Sequence, residues 1–576
     1  MTALSPTSPI TPACNSVTKA GWALVPGLDC TPEPPGPSEP VIEANNNPSI
    51  PQFLQAHPPT NAALSILPRP GNPQRLLKLS SQVTARRPVR NSFVPFTLRA
   101  ASTMLKDPSL LKQDVCYVNG QWVKAKSGKT FEVHDPATGK LIGTCPEFDG
   151  ADTEKAIAAA AEAFKDFRHK TGRERSKLLR KWYDLMMQNA EDLTTLITWE
   201  NGKPLADAKG EVTYAANFFE WFSEEAPRIY GNTIPSSVPG NRVWTIKEPV
   251  GVCGLITPWN FPAAMVTRKI GPALATGCTV VAKAPAETPF TSLALAELAH
   301  RAGIPAGVVN VVTSHQNTPE VGETLTSSPT IRKSSDTLKK LSLELGGNAP
   351  FIVFDDADLD AAVAGAVASK FRSSGQTCVC ANRIYVQRGV YHAFAARLAD
   401  QVKGFRVGNG FEEGTTHGPL IHDRAVDKAD AHVRDATAKG AKVLVGGNKM
   451  EGSFFEPTVL TGMTRDMAMA EEETFGPVAG IFPFDTEAEV VAMANSTTFG
   501  LAGYFFSKDL HRVHRVAEAL EVGMVGVNTG LISDPAAPFG GVKESGFGRE
   551  GSLYGVSEYQ ITKMVTYGGM GQPLQA

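Results

Sequence analysis

The most regular feature of the chain is an alternation of short apolar runs with amphipathic stretches from about residue 150 onward. Across residues 152–167, apolar side chains recur at the spacing of a helix that buries one face. Apolar runs of strand length follow, with helical patterns between them. The predicted elements are strands over 250–257, 279–282 and 308–313 and helices over 263–276 and 294–302. This alternation predicts a parallel α/β sheet of the dinucleotide-binding kind.

A second alternation of the same type begins with an apolar strand at 349–354 and continues to about 546. A chain of 576 residues is long enough for more than one domain. We therefore predict two α/β domains. The first, the dinucleotide-binding domain, comprises 104–231 and 251–346, and the second comprises 347–550.

The first hundred residues differ from the rest in composition. They hold 18 of the 42 prolines and show no sustained periodicity, which predicts that 1–103 is a disordered extension. Residues 44–106 contain several arginines but no Asp or Glu, a composition typical of a mitochondrial transit peptide. This stretch begins well inside the chain, so translation from an internal methionine such as Met104 is the alternative. A mitochondrial and a cytoplasmic location are therefore both open.

Composition and charge narrow the possible functions. The net charge of −2 and the pI of about 6.6 give no electrostatic reason to expect nucleic acid or a membrane surface as a partner. Arg268 and Lys269 interrupt the apolar run after Pro249, so no run is long enough to span a bilayer. The 8 cysteines do not resemble a disulfide framework and indicate reduced thiols. No zinc-type spacing occurs, so no metal is expected.

Three polar residues stand out against this pattern: Asn260 in PWNFP, Glu344 in LELGG and Cys378 in GQTCVC. A thiolate can add to a carbonyl carbon, and an amide can donate a hydrogen bond to the resulting oxyanion. A carboxylate can then activate the water that cleaves the thioester. Asn260 follows a predicted strand, where ligands of parallel sheets bind. Together the three residues predict covalent oxidation of an aldehyde.

Each of the three also has a purely structural interpretation. Cys378 alone could be a small buried apolar residue, although it lies in a polar, glycine-containing loop. Glu344 could cap a turn or pair with Lys339 or Lys340, but burial in an apolar stretch would raise its pKa toward that of a useful general base. Asn260 beside a proline could simply form the turn. Only the combination favours catalysis.

The combination resembles the aldehyde dehydrogenase superfamily over about residues 115–567. The shared motifs are PWNFP, LELGG, GQTCVCANR, EETFGPV and PFGGVKESGFGRE. The resemblance implies an α/β fold of the aldehyde dehydrogenase type: two parallel α/β domains, with 347–550 catalytic, and a small β oligomerisation element from 232–250 and 551–576, which also holds the C-terminal tail. A homodimer or homotetramer is implied.

Within the family, the Cys-Val-Cys loop, the Thr-Arg-Lys stretch at 267–269 and the segment 528–533 are most similar to members that oxidise semialdehydes. The implied reaction is NAD(P)-dependent oxidation of succinate semialdehyde to succinate, a step of 4-aminobutyrate degradation. Glutarate semialdehyde is an alternative substrate, because one methylene changes binding by only about 1–3 kcal/mol.

The resemblance assigns roles to individual residues. Cys378 is the implied nucleophile, Glu344 the general base for deacylation, and Asn260 with the Cys378 backbone N–H the oxyanion hole. The implied cofactor-binding residues are Trp259, Lys283, Glu473 and Phe475, and the implied ligands of the distal substrate carboxylate are Arg268, Arg372 and Ser533. Guanidinium groups at a fixed distance from the thiolate suit a substrate with a carboxylate at its far end.

Two further positions bear on cofactor choice and regulation. NAD-specific relatives often carry an acidic residue three positions after the lysine that corresponds to Lys283; here Ala286 stands there and Glu287 follows. Repulsion of a 2′-phosphate is therefore weak, and the expected cofactor is NADP or NAD. Cys380 is a candidate partner of Cys378 in a reversible regulatory disulfide. A spectator thiol is the alternative, because so short a loop strains a disulfide.

One segment of the family pattern is missing between residues 333 and 334. Relatives place a strand, a glycine-serine loop and the start of a helix here, roughly seventeen residues whose helix N-terminus faces the cofactor pyrophosphate. Without this segment, backbone groups and apolar side chains of the neighbouring strand are exposed to water. We predict that this chain folds poorly or binds dinucleotide weakly. An inactive isoform that acts only by assembling with complete subunits is therefore a further alternative.

Overall fold

The computed structural model describes residues 104–333, 338–572 and 574. The extension predicted at 1–103 lies outside the described residues. Within the described part of the chain, no helix is both long and apolar enough to cross a membrane, and no cluster of His, Cys, Asp and Glu side chains could hold a metal ion.

Strands and helices alternate along the described chain as the apolar pattern predicts. The strands are β1 (Cys116–Val118), β2 (Gln121–Val123), β3 (Thr130–His134), β4 (Leu141–Pro146), β5 (Thr233–Ile234), β6 (Arg242–Pro249), β7 (Val252–Ile256), β8 (Thr279–Lys283), β9 (Val309–Val312), β10 (Ile331–Lys333), β11 (Leu343–Glu344), β12 (Ala349–Val353), β13 (Ala381–Gln387), β14 (Lys442–Val445), β15 (Thr458–Thr461), β16 (Val478–Phe484), β17 (Phe499–Gly500), β18 (Ala502–Phe506), β19 (Met524–Val527), β20 (Val542–Lys543), β21 (Gly546–Phe547) and β22 (Gln560–Tyr567). The helices are α1 (Gly150–Phe167), α2 (Gly172–Gln188), α3 (Ala190–Asn201), α4 (Leu205–Glu225), α5 (Ala264–Thr276), α6 (Pro289–Ala302), α7 (Thr318–Ser327), α8 (Leu359–Lys370), α9 (Tyr391–Lys403), α10 (Asp423–Ala438), α11 (Glu487–Asn495), α12 (Leu510–Ala519) and α13 (Ser552–Ser557).

The first α/β unit is built on a six-stranded sheet with the order β10-β7-β8-β9-β1-β2. The first four of these strands run parallel, and β1 and β2 form an antiparallel edge. β8 is buried along its whole length, as expected for an apolar strand inside a parallel sheet, and α1 and α5 pack near it. The helix predicted over 294–302 begins earlier, at Pro289, because proline is favourable in the first turn of a helix.

The second α/β unit contains a seven-stranded sheet with the order β14-β15-β16-β13-β12-β18-β19. All of its strands are parallel except β14, which pairs antiparallel with β15. The predicted strand at 349–354 is β12, near the middle of this sheet. The loop that carries Cys378 leads directly into β13, so one end of this sheet holds the candidate nucleophile.

A separate three-stranded sheet, β22-β6-β5, joins the hairpin region to the C-terminal strand. β6 and β22 pair antiparallel over their whole length, from Arg242 opposite Tyr567 to Pro249 opposite Gln560. Several large apolar side chains on this sheet are exposed: Ile234, Ile246, Ile561, Met564 and Tyr567. These strands lie in or next to the segments 232–250 and 551–576, whose assignment as an oligomerisation element stays a prediction.

The edge strand of the first sheet, β10, is short, and it lies where the family segment is missing. β10 pairs with β7 only at Val252 and Cys253, and the described residues between β10 and β11 form no helix. A cavity of about 240 Å³ lies beside the remaining part of β7 and is lined there by Gly254, Leu255 and Ile256. The Ile256 side chain is 49% exposed. On this side, residues 254–256 of β7 therefore have no neighbouring strand from the described chain, whereas β8 pairs with the whole of β7 on the other side.

Candidate active site

Cys378 lies in a tightly constrained loop between α8 and β13. Three consecutive residues before it have left-handed backbone angles: Ser373 at φ 50°, Ser374 at φ 54° and Gly375 at φ 76°. A side chain at Gly375 would clash with the Gly476 carbonyl, so glycine is required there. Non-glycine residues in this region store strain that the surrounding structure must hold. The loop thus fixes Cys378, which is 9% exposed.

Glu344 lies beside this thiol and comes from β11, which pairs antiparallel with β21. One carboxylate oxygen, Oε1, is buried and has no hydrogen-bond partner among the described residues. Burial raises the pKa of Glu344, and the nearby Arg268 charge opposes that rise. Burial, together with the Glu344 charge, raises the pKa of the Cys378 thiol well above its usual range. The Cys378 thiol and the Glu344 carboxylate therefore lie within electrostatic range of each other, and both are largely shielded from water.

The structural interpretation of Glu344 as a partner of neighbouring lysines does not match its contacts. The Lys339 ammonium donates to the Ser328 carbonyl at 2.6 Å, and the Lys340 ammonium donates to the Ser557 carbonyl. The cation beside Glu344 is Arg268 instead, with Nη2 3.8 Å from Oε2.

Asn260 follows β7 in the segment that leads into α5. Its side chain is 4% exposed, and its Nδ2 donates to the Gln376 carbonyl at 3.1 Å. This bond ties the Asn260 segment of the first unit to the Cys378 loop of the second unit. The Asn260 side-chain amide thus lies next to the loop that carries Cys378, where the proposed reaction needs a donor to the oxyanion.

Arg268 and Lys269 both pair with Glu550, a residue to which the sequence reasoning assigned no role. The Arg268 guanidinium forms an ion pair with Glu550, lies 4.1 Å from the Phe539 ring centre and is buried. Lys269 Nζ lies 2.5 Å from Glu550 Oε1. These cations lower the pKa of Glu550 to about 2. The structure thus places Arg268 in a charge network behind Glu344, and its predicted contact with substrate stays a prediction.

The other predicted substrate ligands are half-buried. Arg372 precedes the strained serine pair, and its guanidinium carbon lies 5.1 Å from the Phe261 ring centre. Ser533 lies in the segment after β19.

Tyr214 of α4 was missed by the sequence reasoning. Burial raises its pKa, and the Arg268 and Arg372 charges oppose that rise, so its phenol lies within electrostatic range of both guanidinium groups.

Two of the predicted cofactor-binding residues, Trp259 and Lys283, lie at the carboxyl ends of β7 and β8, and the other two, Glu473 and Phe475, lie in the loop before β16. Lys283 ends β8 and is 5% exposed; burial lowers the pKa of its ammonium. The Trp259 and Phe475 rings meet edge to face at 5.6 Å, and Phe475 has φ 50°. Burial raises the pKa of Glu473 to about 7, and its Oε1 accepts from the Gly347 N–H at 3.4 Å. A buried ammonium, a carboxylate and aromatic faces at strand ends fit a dinucleotide.

Cys380 is buried behind the loop. Its Sγ donates to the Gly375 carbonyl at 3.3 Å and is 3.6 Å from the Lys370 carbonyl. These two contacts hold the thiol against backbone, so a disulfide with Cys378 requires both to break. The redox switch stays a prediction.

Fold and site together define an enzyme class: an α/β dehydrogenase that works through a buried cysteine, with a carboxylate beside it. Comparison with known proteins agrees. Residues 122–565 match the family described as "Aldehyde dehydrogenase family". The chain belongs to the aldehyde dehydrogenase family, which confirms the predicted family, fold class and enzyme class with its NAD(P) cofactor.

Individual relatives are similar over most of the chain. The glutarate-semialdehyde dehydrogenase of Pseudomonas putida is 58% identical, covering 79% of this chain and 98% of the relative. The NADP(+) succinate-semialdehyde dehydrogenase 1 of Schizosaccharomyces pombe is 56% identical, covering 81% of this chain and 98% of the relative. The crystal structure of an aldehyde dehydrogenase from Brucella melitensis biovar abortus 2308 has a TM-score of 0.79 at 56% identity, covering 81% of this chain and 99% of that chain.

Proposed function

We propose that this protein oxidises succinate semialdehyde to succinate with NADP or NAD. The observation that carries the proposal is the buried pairing of the Cys378 thiol with the Glu344 carboxylate, beside the Asn260 amide. Relatives named for succinate semialdehyde and for glutarate semialdehyde are similarly identical to this chain. Glutarate semialdehyde is therefore the second candidate substrate. Comparison of kcat/KM for the two semialdehydes tests the choice, and a preference for glutarate semialdehyde would contradict the first.

The chain's own groups supply the covalent chemistry. Glu344 takes the thiol proton from Cys378, and the sulfur attacks the aldehyde carbon. The oxyanion accepts hydrogen bonds from Asn260 Nδ2 and the Cys378 backbone N–H. When bound, NAD(P)⁺ would supply the acceptor for the hydride that leaves this carbon. Once Glu344 has released this first proton to solvent, it takes a proton from the water that attacks the thioester carbonyl. The carbon–sulfur bond then breaks, the acid product leaves, and the Cys378 thiolate regains a proton from Glu344.

The cofactor is held by Lys283, Trp259, Glu473 and Phe475, whose arrangement fits a dinucleotide. Ala286 leaves room for a 2′-phosphate where an acidic side chain would repel it, and Glu287 follows one position later. The yeast relatives named for NADP(+) support NADP as the cofactor in use.

A homodimer or homotetramer would cover the exposed apolar side chains of the β22-β6-β5 sheet. A mitochondrial location is supported by the Mus musculus relative, which is named as mitochondrial.

Arg372 is expected to select for the substrate's distal carboxylate. Replacing it with glutamine (Arg372→Gln) should raise KM for succinate semialdehyde about 10- to 100-fold, because one charged hydrogen bond contributes about 1.5–3 kcal/mol. KM for butanal, which has the same chain length without the carboxylate, should stay the same. Steady-state kinetics with both aldehydes measure the effect.

The control is Arg397→Gln, which removes an arginine that pairs with Asp360 at 2.6 Å on the exposed side of α9. It should leave both KM values unchanged. Equal changes for the two aldehydes in Arg372→Gln would contradict carboxylate recognition by this residue.

The fall of kcat/KM at acid pH should reflect protonation of the Glu344 carboxylate. A general base acts only when ionised, and burial raises the pKa of Glu344 above its ordinary 4.5. Activity is therefore present above this raised pKa and falls as pH drops through it. The measurement is kcat/KM against pH, and this fall should be absent from the residual activity of Glu344→Gln. A fall at or below pH 4.5 in the unmodified protein would count against this assignment.

Reversible oxidation should require Cys380. Hydrogen peroxide oxidises the Cys378 thiolate to a sulfenic acid, and attack by the Cys380 thiol forms the disulfide and releases water. The unmodified enzyme should then regain activity with dithiothreitol. In Cys380→Ser the sulfenic acid is open to further, irreversible oxidation, so recovery should fall. Mass spectrometry of the peptide detects the disulfide; equal recovery in both proteins would argue for a spectator thiol.

A further inference from the structure

Lys203 and Glu211 form an ion pair inside the first unit. Lys203 lies in the short connection between α3 and α4, and Glu211 lies on α4. Lys203 Nζ is 2.6 Å from Glu211 Oε2, and the two side chains are 2% and 0% exposed. Neither residue stood out in the sequence, and neither has a part in the proposed chemistry.

This ion pair forms hydrogen bonds to the backbone of the Asn260 segment at two points. Lys203 Nζ donates to the Asn260 carbonyl at 2.8 Å. Glu211 Oε1 accepts from the Ala263 N–H at 2.8 Å. The same ammonium lies 4.1 Å from the Phe261 ring centre. The pair therefore bonds one backbone acceptor before Phe261, the Asn260 carbonyl, and one backbone donor after it, the Ala263 N–H.

Stability alone does not explain a buried ion pair. Taking two charges out of water is costly, and well-packed apolar residues of similar size often replace such a pair without loss of stability. Apolar side chains, however, could not bond the Asn260 carbonyl or the Ala263 N–H. What the charges add is a fixed position for this stretch of backbone, and buried polar groups that are fully bonded do give a segment one conformation.

The segment held in this way carries the Asn260 amide. Its Nδ2 already reaches across to the Gln376 carbonyl at 3.1 Å, in the Cys378 loop. A donor to an oxyanion must be held close to its working position, because small displacements lower the rate steeply. We propose that Lys203 and Glu211 are positioning residues that hold the Asn260 amide in place for the reaction. The inference rests on the proposed role of Asn260 as oxyanion donor.

The test replaces both charges with apolar side chains in the full chain, Lys203→Met with Glu211→Leu. The readout is hydrolysis of p-nitrophenyl acetate: the acetyl group passes to the Cys378 thiolate, p-nitrophenolate leaves, and water cleaves the thioester. This reaction needs no dinucleotide, so it does not depend on the pyrophosphate-binding part of the missing segment. We expect kcat to fall about 10- to 100-fold with KM unchanged and the urea unfolding midpoint retained.

The matched control is Lys112→Met with Glu297→Leu, at another ion pair of the same unit, with Nζ 2.8 Å from Oε2 and side chains 17% and 12% exposed. It should leave kcat unchanged. If the apolar pair at 203 and 211 does not fold, Glu211→Asp serves instead. It keeps the charge but withdraws the carboxylate from the Ala263 N–H, and kcat should again fall while KM does not.

A mutant cycle with Asn260→Ala separates the two proposals. If Lys203 and Glu211 act through Asn260, their replacement should lower kcat by less than about twofold once Asn260 is gone. Independent, multiplying losses would overturn the positioning role, as would an unchanged kcat in the apolar pair or in Glu211→Asp while Asn260→Ala is impaired. An Asn260→Ala protein with full kcat would instead overturn the proposed role of Asn260.

Discussion

Cys378→Ala is expected to lower kcat for NAD(P)H formation by about 10⁵- to 10⁶-fold, because removing a covalent nucleophile ends the pathway that forms the thioester. Hydrolysis of p-nitrophenyl acetate should be lost with it. The change removes one sulfur atom from a loop whose shape is set by neighbouring backbone, so the fold should persist. Spectrophotometry at 340 nm and at 400 nm follows the two reactions, and circular dichroism follows the fold.

Cys116→Ala is the matched control for this prediction. Cys116 is also fully buried, and its Sγ lies 3.3 Å from the Thr313 hydroxyl in the first unit. Burial raises the pKa of Cys116, as it does that of Cys378, but Cys116 lies in an apolar core cluster and takes no part in the proposed chemistry. Its replacement should leave kcat within about twofold. Substantial turnover in Cys378→Ala, or equal losses in both variants, would rule out Cys378 as the nucleophile.

Restoring the missing segment should have the second large effect. We expect insertion of a relative's strand, glycine-serine loop and helix start between Lys333 and Ser334, roughly seventeen residues, to lower the Kd for NADP⁺ by about 100-fold or more. The added helix N-terminus offers N–H groups to the pyrophosphate, and the added strand covers the part of β7 beside the cavity at Gly254, Leu255 and Ile256. Quenching of tryptophan fluorescence by NADP⁺, with Trp259 at the proposed cofactor site, measures the affinity.

A glycine-serine insertion of the same length at the same point is the control, because it adds chain without adding a strand or a helix terminus. It should bind NADP⁺ no better than the unmodified chain. The urea unfolding midpoint should also rise only in the restored protein. Tight binding by the unmodified chain would show that the gap is tolerated, and would remove the main argument for an inactive isoform.

Much of this molecule follows from local sequence. Period-two and period-3.6 patterns are set by neighbouring residues, so the alternation of strands and helices was predicted within a few residues for elements such as α5, β8 and β12. The motifs around Asn260, Glu344 and Cys378 were recognisable because each is a short contiguous stretch with its own chemistry. The family, the fold class and the enzyme class were all confirmed on that basis.

Other features depend on pairings between distant parts of the chain. Arg268 and Glu550 are separated by 282 positions, and no local pattern predicts that they meet. The need for glycine at Gly375 in the Cys378 loop comes from the Gly476 carbonyl, which belongs to another loop.

What the sequence determined by itself is therefore the order of the elements and the chemical groups available to the site. The tertiary structure alone decided which of those groups meet: that Arg268 faces Glu550 and Glu344, and that Lys203 with Glu211 holds the Asn260 segment. The physical reason is that backbone periodicity and side-chain chemistry are local properties. Burial, ion pairing and the pKa shifts they cause arise only when the chain brings distant residues together.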